Sequence, residues 1–165
     1  MRAVFFREHG GVEKLEYGYL PKPTPGPGEV LVQVKACALN RLDLWTRQGM
    51  PGVKIPLPHV LGCDIAGEVA KLGHGVRGIS LRQKVLIAPG ISCGRCSYCR
   101  TGWDSLCDHY KIMGFQVDGG YAEFMTVHED YAYAIPEAFS DEQAAPLLCA
   151  GAIGYRALKL TNLVD

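Results

Sequence analysis

Apolar residues in this chain fall in short runs broken by glycine and proline, and the runs alternate with polar positions more often than they follow a helical period. Residues 2–6 and 15–20 flank the turn-prone His9-Gly10-Gly11 and predict a hairpin-like pair of strands. Pro21 to Glu29 contains four prolines, which fix φ and remove backbone donors, so an extended connection is expected. In residues 30–36, Val30, Val32 and Val34 alternate with Leu31, Gln33 and Lys35, the pattern of a half-buried strand. Residues 39–48 place Leu39, Leu42 and Trp45 at helical spacing, with Asn40 available to cap the start and Gly49 the end. Residues 65–72, after a turn at Gly62, read as a second apolar strand, 79–88 as β-like, and 121–127 and 131–135 as further strands. Ser140 and Gln143 form a capping-box pair that opens a helix, which Pro146 should kink or end before a second apolar helical stretch at 152–160. The expected class is mainly β with a few helices (α+β), and 165 residues suit one domain.

Gly73, Gly75 and Gly78 match the dinucleotide fingerprint G-x-G-x-x-G by spacing alone. That fingerprint needs a helix opening on the glycines and an acidic ribose ligand about 20 residues on; here a β-like segment follows, so the glycines are read as turn residues. Seventeen basic and seventeen acidic residues cancel, which points to a small-molecule partner, with neither nucleic acid nor an anionic membrane called for. The N-terminal apolar run is too short for a signal peptide, and no stretch reaches the roughly 20 apolar residues of a membrane span. A cytoplasmic protein is expected, with Cys37, Cys63 and Cys149 reduced.

The remaining cysteines carry the strongest chemical signal. Cys93, Cys96, Cys99 and Cys107 are spaced C-x2-C-x2-C-x7-C in a loop of glycine, serine and arginine. Clustered thiolates repel unless a cation neutralises them, and zinc does so with four sulfurs in a closed tetrahedron that leaves no position for substrate. One structural zinc per chain is therefore expected. Free or disulfide-paired thiols are one alternative, and an iron–sulfur cluster another, although bacterial ferredoxin spacing ends in C-x3-C-P and here Asp108 follows Cys107.

This cysteine spacing occurs with G-C-D-I-A-G at 62–67, D-G-G-Y-A-E at 118–123 and A-P-L-L-C-A-G at 145–151, in that order. Together they resemble the medium-chain dehydrogenase/reductase superfamily, which contains zinc-dependent alcohol dehydrogenases and quinone oxidoreductases. The resemblance implies a GroES-like, partly open β-barrel catalytic domain over residues 1–165, with a zinc-binding lobe at 88–110. It also implies a downstream Rossmann domain, absent from this chain, that binds NAD(P). Hydride transfer to or from a small carbonyl, alcohol, enone or quinone would take place between the two domains, in an enzyme expected to form a homo-oligomer. These 165 residues alone would be inactive.

In the zinc alcohol dehydrogenases the catalytic metal is held by a cysteine after the strand matching 30–36, a histidine in a G-H-E run and a later cysteine. This sequence is similar only at the last, Cys149; Asn40 stands at the first position and Cys63-Asp64 at the second. Leu42 replaces the hydroxyl residue that relays the alcohol proton. Two readings follow. In one the cleft is metal-free, like the quinone oxidoreductases with their N-x-x-D run, here Asn40 to Asp43, and hydrogen bonds polarise the substrate. In the other, Cys63, Asp64 and Cys149 hold an unusual zinc. Plainer roles are also open: Asn40 as a helix cap, Asp43 as a backbone acceptor, Cys63 and Cys149 as small buried side chains. His59, His74, His109 and His128 receive no role. A zinc-stabilised binding or assembly module without enzymology is the competing functional class.

Overall fold

The computed structural model describes residues 1–161. Its strands are β1 (Arg2–Phe6), β2 (Glu16–Tyr19), β3 (Glu29–Ala38), β4 (His59–Val60), β5 (Asp64–Leu72), β6 (Lys84–Ile87), β7 (Gly90–Ile91), β8 (Lys111–Ile112), β9 (Phe124–His128) and β10 (Ala132–Ala134). The helices are α1 (Arg41–Gln48), α2 (Ser97–Arg100), α3 (Asp141–Ala144) and α4 (Ala150–Leu160). The strands form three sheets, ordered β2-β1-β4, β10-β6-β5-β3-β9 and β7-β8, and no sheet closes on itself among the described residues. The chain is thus mainly β, with the partly open GroES-like arrangement.

The hairpin, the long strand, the capping box at Ser140 and the break at Pro146 all stand where the sequence pattern places them. Two segments differ. The β-like 79–88 narrows to β6, because Ser80 to Gln83 make a tight turn in which Arg82 takes a left-handed conformation. The strand expected at 121–127 begins at Phe124, because Tyr121 and Glu123 bond outside the five-stranded sheet's regular ladder, to Leu61 and Arg2. The glycine run 73–78 is, as expected, a turn with no helix after it.

Strand β3 is the spine of the large sheet, pairing antiparallel with β5 on one side and β9 on the other. One face buries Val30, Val32, Ile65, Val69, Val85, Ile87, Met125 and Val127 in a single cluster. Each such side chain contributes about 1.5–3 kcal/mol when taken fully from water. The opposite face buries Ala66 and Leu86 under Ile135, Ala144 and Ala145, so α3 and the turn after it lie across the sheet. The small residues Ala36, Ala38 and Ala66 on this face let the turn approach closely.

Helix α1 turns polar residues inward: Asp43 and Thr46 are buried, whereas Leu44 is 49% and Trp45 47% exposed, and Leu39, just before the cap, is 87% exposed. Thr46 satisfies its hydroxyl on the Leu42 carbonyl one turn back, and Asp43 finds three donors, described below. The helical spacing of Leu39, Leu42 and Trp45 therefore marks the helix correctly but not its buried face.

Where β3 shifts register against β5, Gly67 lies opposite Val34, and a Cβ there would collide with the Gln33 carbonyl oxygen. Gly67→Ala should cost about 1–3 kcal/mol through overpacking. A fall in urea midpoint at unchanged m-value checks this; an unchanged midpoint would mean that the bulge opens freely.

Candidate active site and metal centre

The β3–β5 register builds the first site. Ala38 pairs with Asp64, so the end of β3, where Asn40 caps α1, lies beside the start of β5. The turn after α3, docked on the alanines of the same sheet, carries Cys149 to that corner. Asn40 Oδ1 accepts from the Leu42 amide at 3.0 Å, which fixes the side-chain orientation, and Nδ2 then donates to Asp64 Oδ2 at 2.8 Å and toward Cys149 Sγ at 3.3 Å. Cys63 directs its thiol to Asp64 Oδ2 at 3.4 Å. The ligand atoms of Cys63, Asp64 and Cys149 lie within 4.8 Å of one another, and Asp64 Oδ1 is buried without a hydrogen-bond partner. Burial raises the Cys63 and Cys149 thiols above their ordinary range, and Asp64 adds to the effect. Asn40 opposes it at Cys149.

Asp43 stands one turn behind. Its Oδ2 accepts from the Asn40 amide and the Tyr121 hydroxyl, both at 2.8 Å, and its Oδ1 from the Gly62 amide at 3.0 Å. Three segments distant in sequence are thereby tied to one buried carboxylate. Gly62 must approach closely for this: its φ is +97°, and a Cβ would lie 2.7 Å from Cys37 Sγ and from the Tyr121 ring. Tyr121 was missed in the sequence; its place after two glycines carries no periodic signal, and only the folded contact reveals its partner. Burial and the Asp43 bond raise its hydroxyl well above the ordinary range.

The second site is the lobe closed at its base by the β7–β8 pair. Sγ atoms of Cys93, Cys96, Cys99 and Cys107 lie within 4.8 Å of one another, with 3.4 Å between Cys96 and Cys99 and 3.9 Å between Cys93 and Cys99. A tetrahedron of zinc–sulfur bonds at about 2.3 Å requires sulfurs about 3.8 Å apart, so the cluster fits that ion. Backbone amides support the thiolate form: Cys96 N–H points at Cys93 Sγ, Cys99 N–H at Cys96 Sγ, and Cys93 and His109 N–H at Cys107 Sγ. The amides of Arg95 and Cys96 hold the Cys93 thiol down to about 6.

No histidine side chain joins either ligand group among the described residues. His59 is fully buried against the edge of Phe6, with Nδ1 3.4 Å from Asp118. His128 lies beside Gly28, and no group of potential metal ligands among the described residues includes a histidine. No described helix is long and apolar enough to cross a membrane.

The family model for the alcohol dehydrogenase GroES-like domain matches residues 26–137. An NAD-dependent alcohol dehydrogenase of Sulfolobus acidocaldarius is 41% identical over 99% of this chain and 48% of its own length. A solved NAD-dependent alcohol dehydrogenase is 49% identical, with a TM-score of 0.85 over 88% of this chain and 42% of that one. The cobalt- and zinc-bound thermostable alcohol dehydrogenase of Pyrobaculum aerophilum superposes with a TM-score of 0.91 at 34% identity, over 100% of this chain and 49% of its own. The chain spans about half the length of the relatives it matches.

Cys37, beside Gly62 and Gly120, gives this region a pH signature. Burial, with Asp43 and Asp64 nearby, pushes its thiol up to about 12. The native state keeps this proton from about pH 8.5, where an unfolded thiol ionises, to about 12. Its stabilising effect is therefore complete below pH 8.5 and is lost as the pH rises, by at most about 1.4 kcal/mol per pH unit. Cys37→Ala should flatten the fall of the denaturation midpoint between pH 8.5 and 11; the same slope in both proteins would refute the assignment.

Proposed function

The chain belongs to the alcohol dehydrogenase family through its GroES-like domain, and from that premise we propose that it is the substrate-side part of an NAD(P)-dependent oxidoreductase, as residues 1–165 of a longer enzyme. The nicotinamide, held by a further domain, supplies or takes up the hydride. This part shapes and polarises the pocket for a small carbonyl, alcohol, enone or quinone. Cys93, Cys96, Cys99 and Cys107 hold one structural zinc, which neutralises four thiolates and pins the lobe.

The observation that carries the reading of the cleft is the Asn40 amide. Its Nδ2 donates into the corner formed by Asp64 and Cys149, where a catalytic cation would otherwise lie among ligands. Both N–H groups of Nδ2 are engaged here, so a substrate oxygen that displaces one of these two acceptors meets a donor already oriented by the Leu42 amide, and behind that by the Asp43 bonds, and is polarised without a Lewis acid. Asp43 is then a positioning residue, and Cys63, Asp64 and Cys149 form the floor. Leu42 offers no hydroxyl for an alcohol-proton relay, which favours enone or quinone reduction over alcohol oxidation. The second reading, a zinc on Cys63, Asp64 and Cys149, draws on their mutual proximity and on the unpartnered Asp64 Oδ1.

Elemental analysis separates the two: one zinc per chain supports the metal-free cleft, two the alternative. Cys99→Ser should abolish binding of the lobe's zinc, and iron with visible absorption would refute zinc there altogether. In the enzyme joined to its cofactor domain, Asn40→Ala should lower kcat/KM by about 100-fold, in the range found for loss of one preorganised donor. An unchanged kcat/KM would remove Asn40 from the mechanism. A family-wide fold on a full-length protein that binds no nicotinamide would favour a non-enzymatic assembly module instead.

A further inference from the structure

Two cysteines stand in the cleft where polarisation by Asn40 uses neither as a metal ligand. Their surroundings differ in a way that suits sequential oxidation. Cys149 is half-buried, precedes an α4 that is exposed along its length, and accepts from the Asn40 amide at 3.3 Å, a bond that stabilises its thiolate. Cys63 is 1% exposed, and its thiol points at Asp64 Oδ2 at 3.4 Å, a carboxylate placed to take its proton. The two Sγ atoms are within 4.8 Å of each other.

We propose that Cys63 and Cys149 form a reversible redox switch on this cleft, in which a hydroperoxide converts the pair to a disulfide. This rests on the metal-free reading, because a zinc ion bound to both sulfurs would mask them. In the first step the Cys149 thiolate attacks the peroxide O–O bond; an S–O bond forms, the O–O bond breaks, and the leaving hydroxide takes a proton to become water. In the second, Cys63 sulfur attacks the Cys149 sulfenic acid, its proton passing toward Asp64, and the S–O bond breaks with release of a second water. Two thiols are oxidised and one hydroperoxide is reduced; for hydrogen peroxide itself both products are water. Cys149 Sγ, now bonded to Cys63, no longer receives the Asn40 amide as before, so the donor that orients substrate loses one of the acceptors that fix it. Thiol reductants reverse the step.

The test uses the zinc-loaded chain. Zinc is counted first, then the protein is treated with hydrogen peroxide, alkylated and digested without reduction. The expected product is a Cys63–Cys149 peptide, lighter by two hydrogens, with lobe zinc retained and the link lost on adding dithiothreitol. Cys149→Ser should abolish the link, whereas Cys37→Ser, the control for the other thiol outside the lobe, should leave it intact. A single zinc with no Cys63–Cys149 link, or a link to Cys37 in its place, overturns the switch while leaving the proposed function standing. Two zincs per untreated chain overturn the metal-free reading first, and the switch with it. The mass measurement needs no turnover, so loss of activity is not confused with either result.

Discussion

The arrangement depends on one buried carboxylate. Asp43, on the inward face of a two-turn helix, accepts from the Asn40 amide, the Gly62 amide and the Tyr121 hydroxyl, and so joins the end of β3, the approach to β5 and the approach to β9. A buried carboxyl group is tolerated only when its lone pairs are occupied, and here the farthest donor, Tyr121, lies 78 residues along the chain from Asp43. The requirement explains features that otherwise look unrelated: a glycine at 62 in a left-handed conformation, a tyrosine turned inward at 121, and a helix that exposes Leu44 and Trp45. Asn40 owes its position to the same network, since its backbone is tied to Asp43 and its side chain to the first turn of the helix that Asp43 anchors.

The two sulfur clusters show how environment divides one element between two tasks. In the lobe, backbone amides surround the cysteines and favour thiolates, which suits a closed metal site. In the cleft, burial and a neighbouring carboxylate favour neutral thiols, and the nearest donor is a single side-chain amide. The lobe is a local loop closed by two short strands. The cleft is assembled only when β3, β5 and the turn after α3 have met on one sheet. Apolar side chains beside it, including Leu39 and Trp45, are left toward solvent.

Local signals were legible where the physics is local. The alternation of Val30, Val32 and Val34 marks a strand because the side-chain period is two, and the Asn40 and Ser140 caps are read from a residue and its third neighbour. The cysteine spacing shows the lobe because four ligands fit within a loop of fifteen residues, Cys93 to Cys107. Pattern fails where a tertiary contact overrides it: the apolar stripe of α1 faces outward because the inward face is claimed by Asp43 and Thr46, and β9 starts late because residues 121–123 bond to other segments.

By itself the sequence determined the class of fold, the caps, the turns and the cysteine lobe, all of which follow from spacings of a few residues. The family resemblance implied that Asn40, Cys63, Asp64 and Cys149 share one cleft, but only the tertiary structure decided how they meet, since the register of Ala38 against Asp64 and the docking of a distant turn are not encoded at any short spacing. It likewise decided which side chain donates and which accepts there. The Leu42 amide takes Asn40 Oδ1, and the amide nitrogen is left to face a carboxylate and a thiol that lie 24 and 109 residues away along the chain.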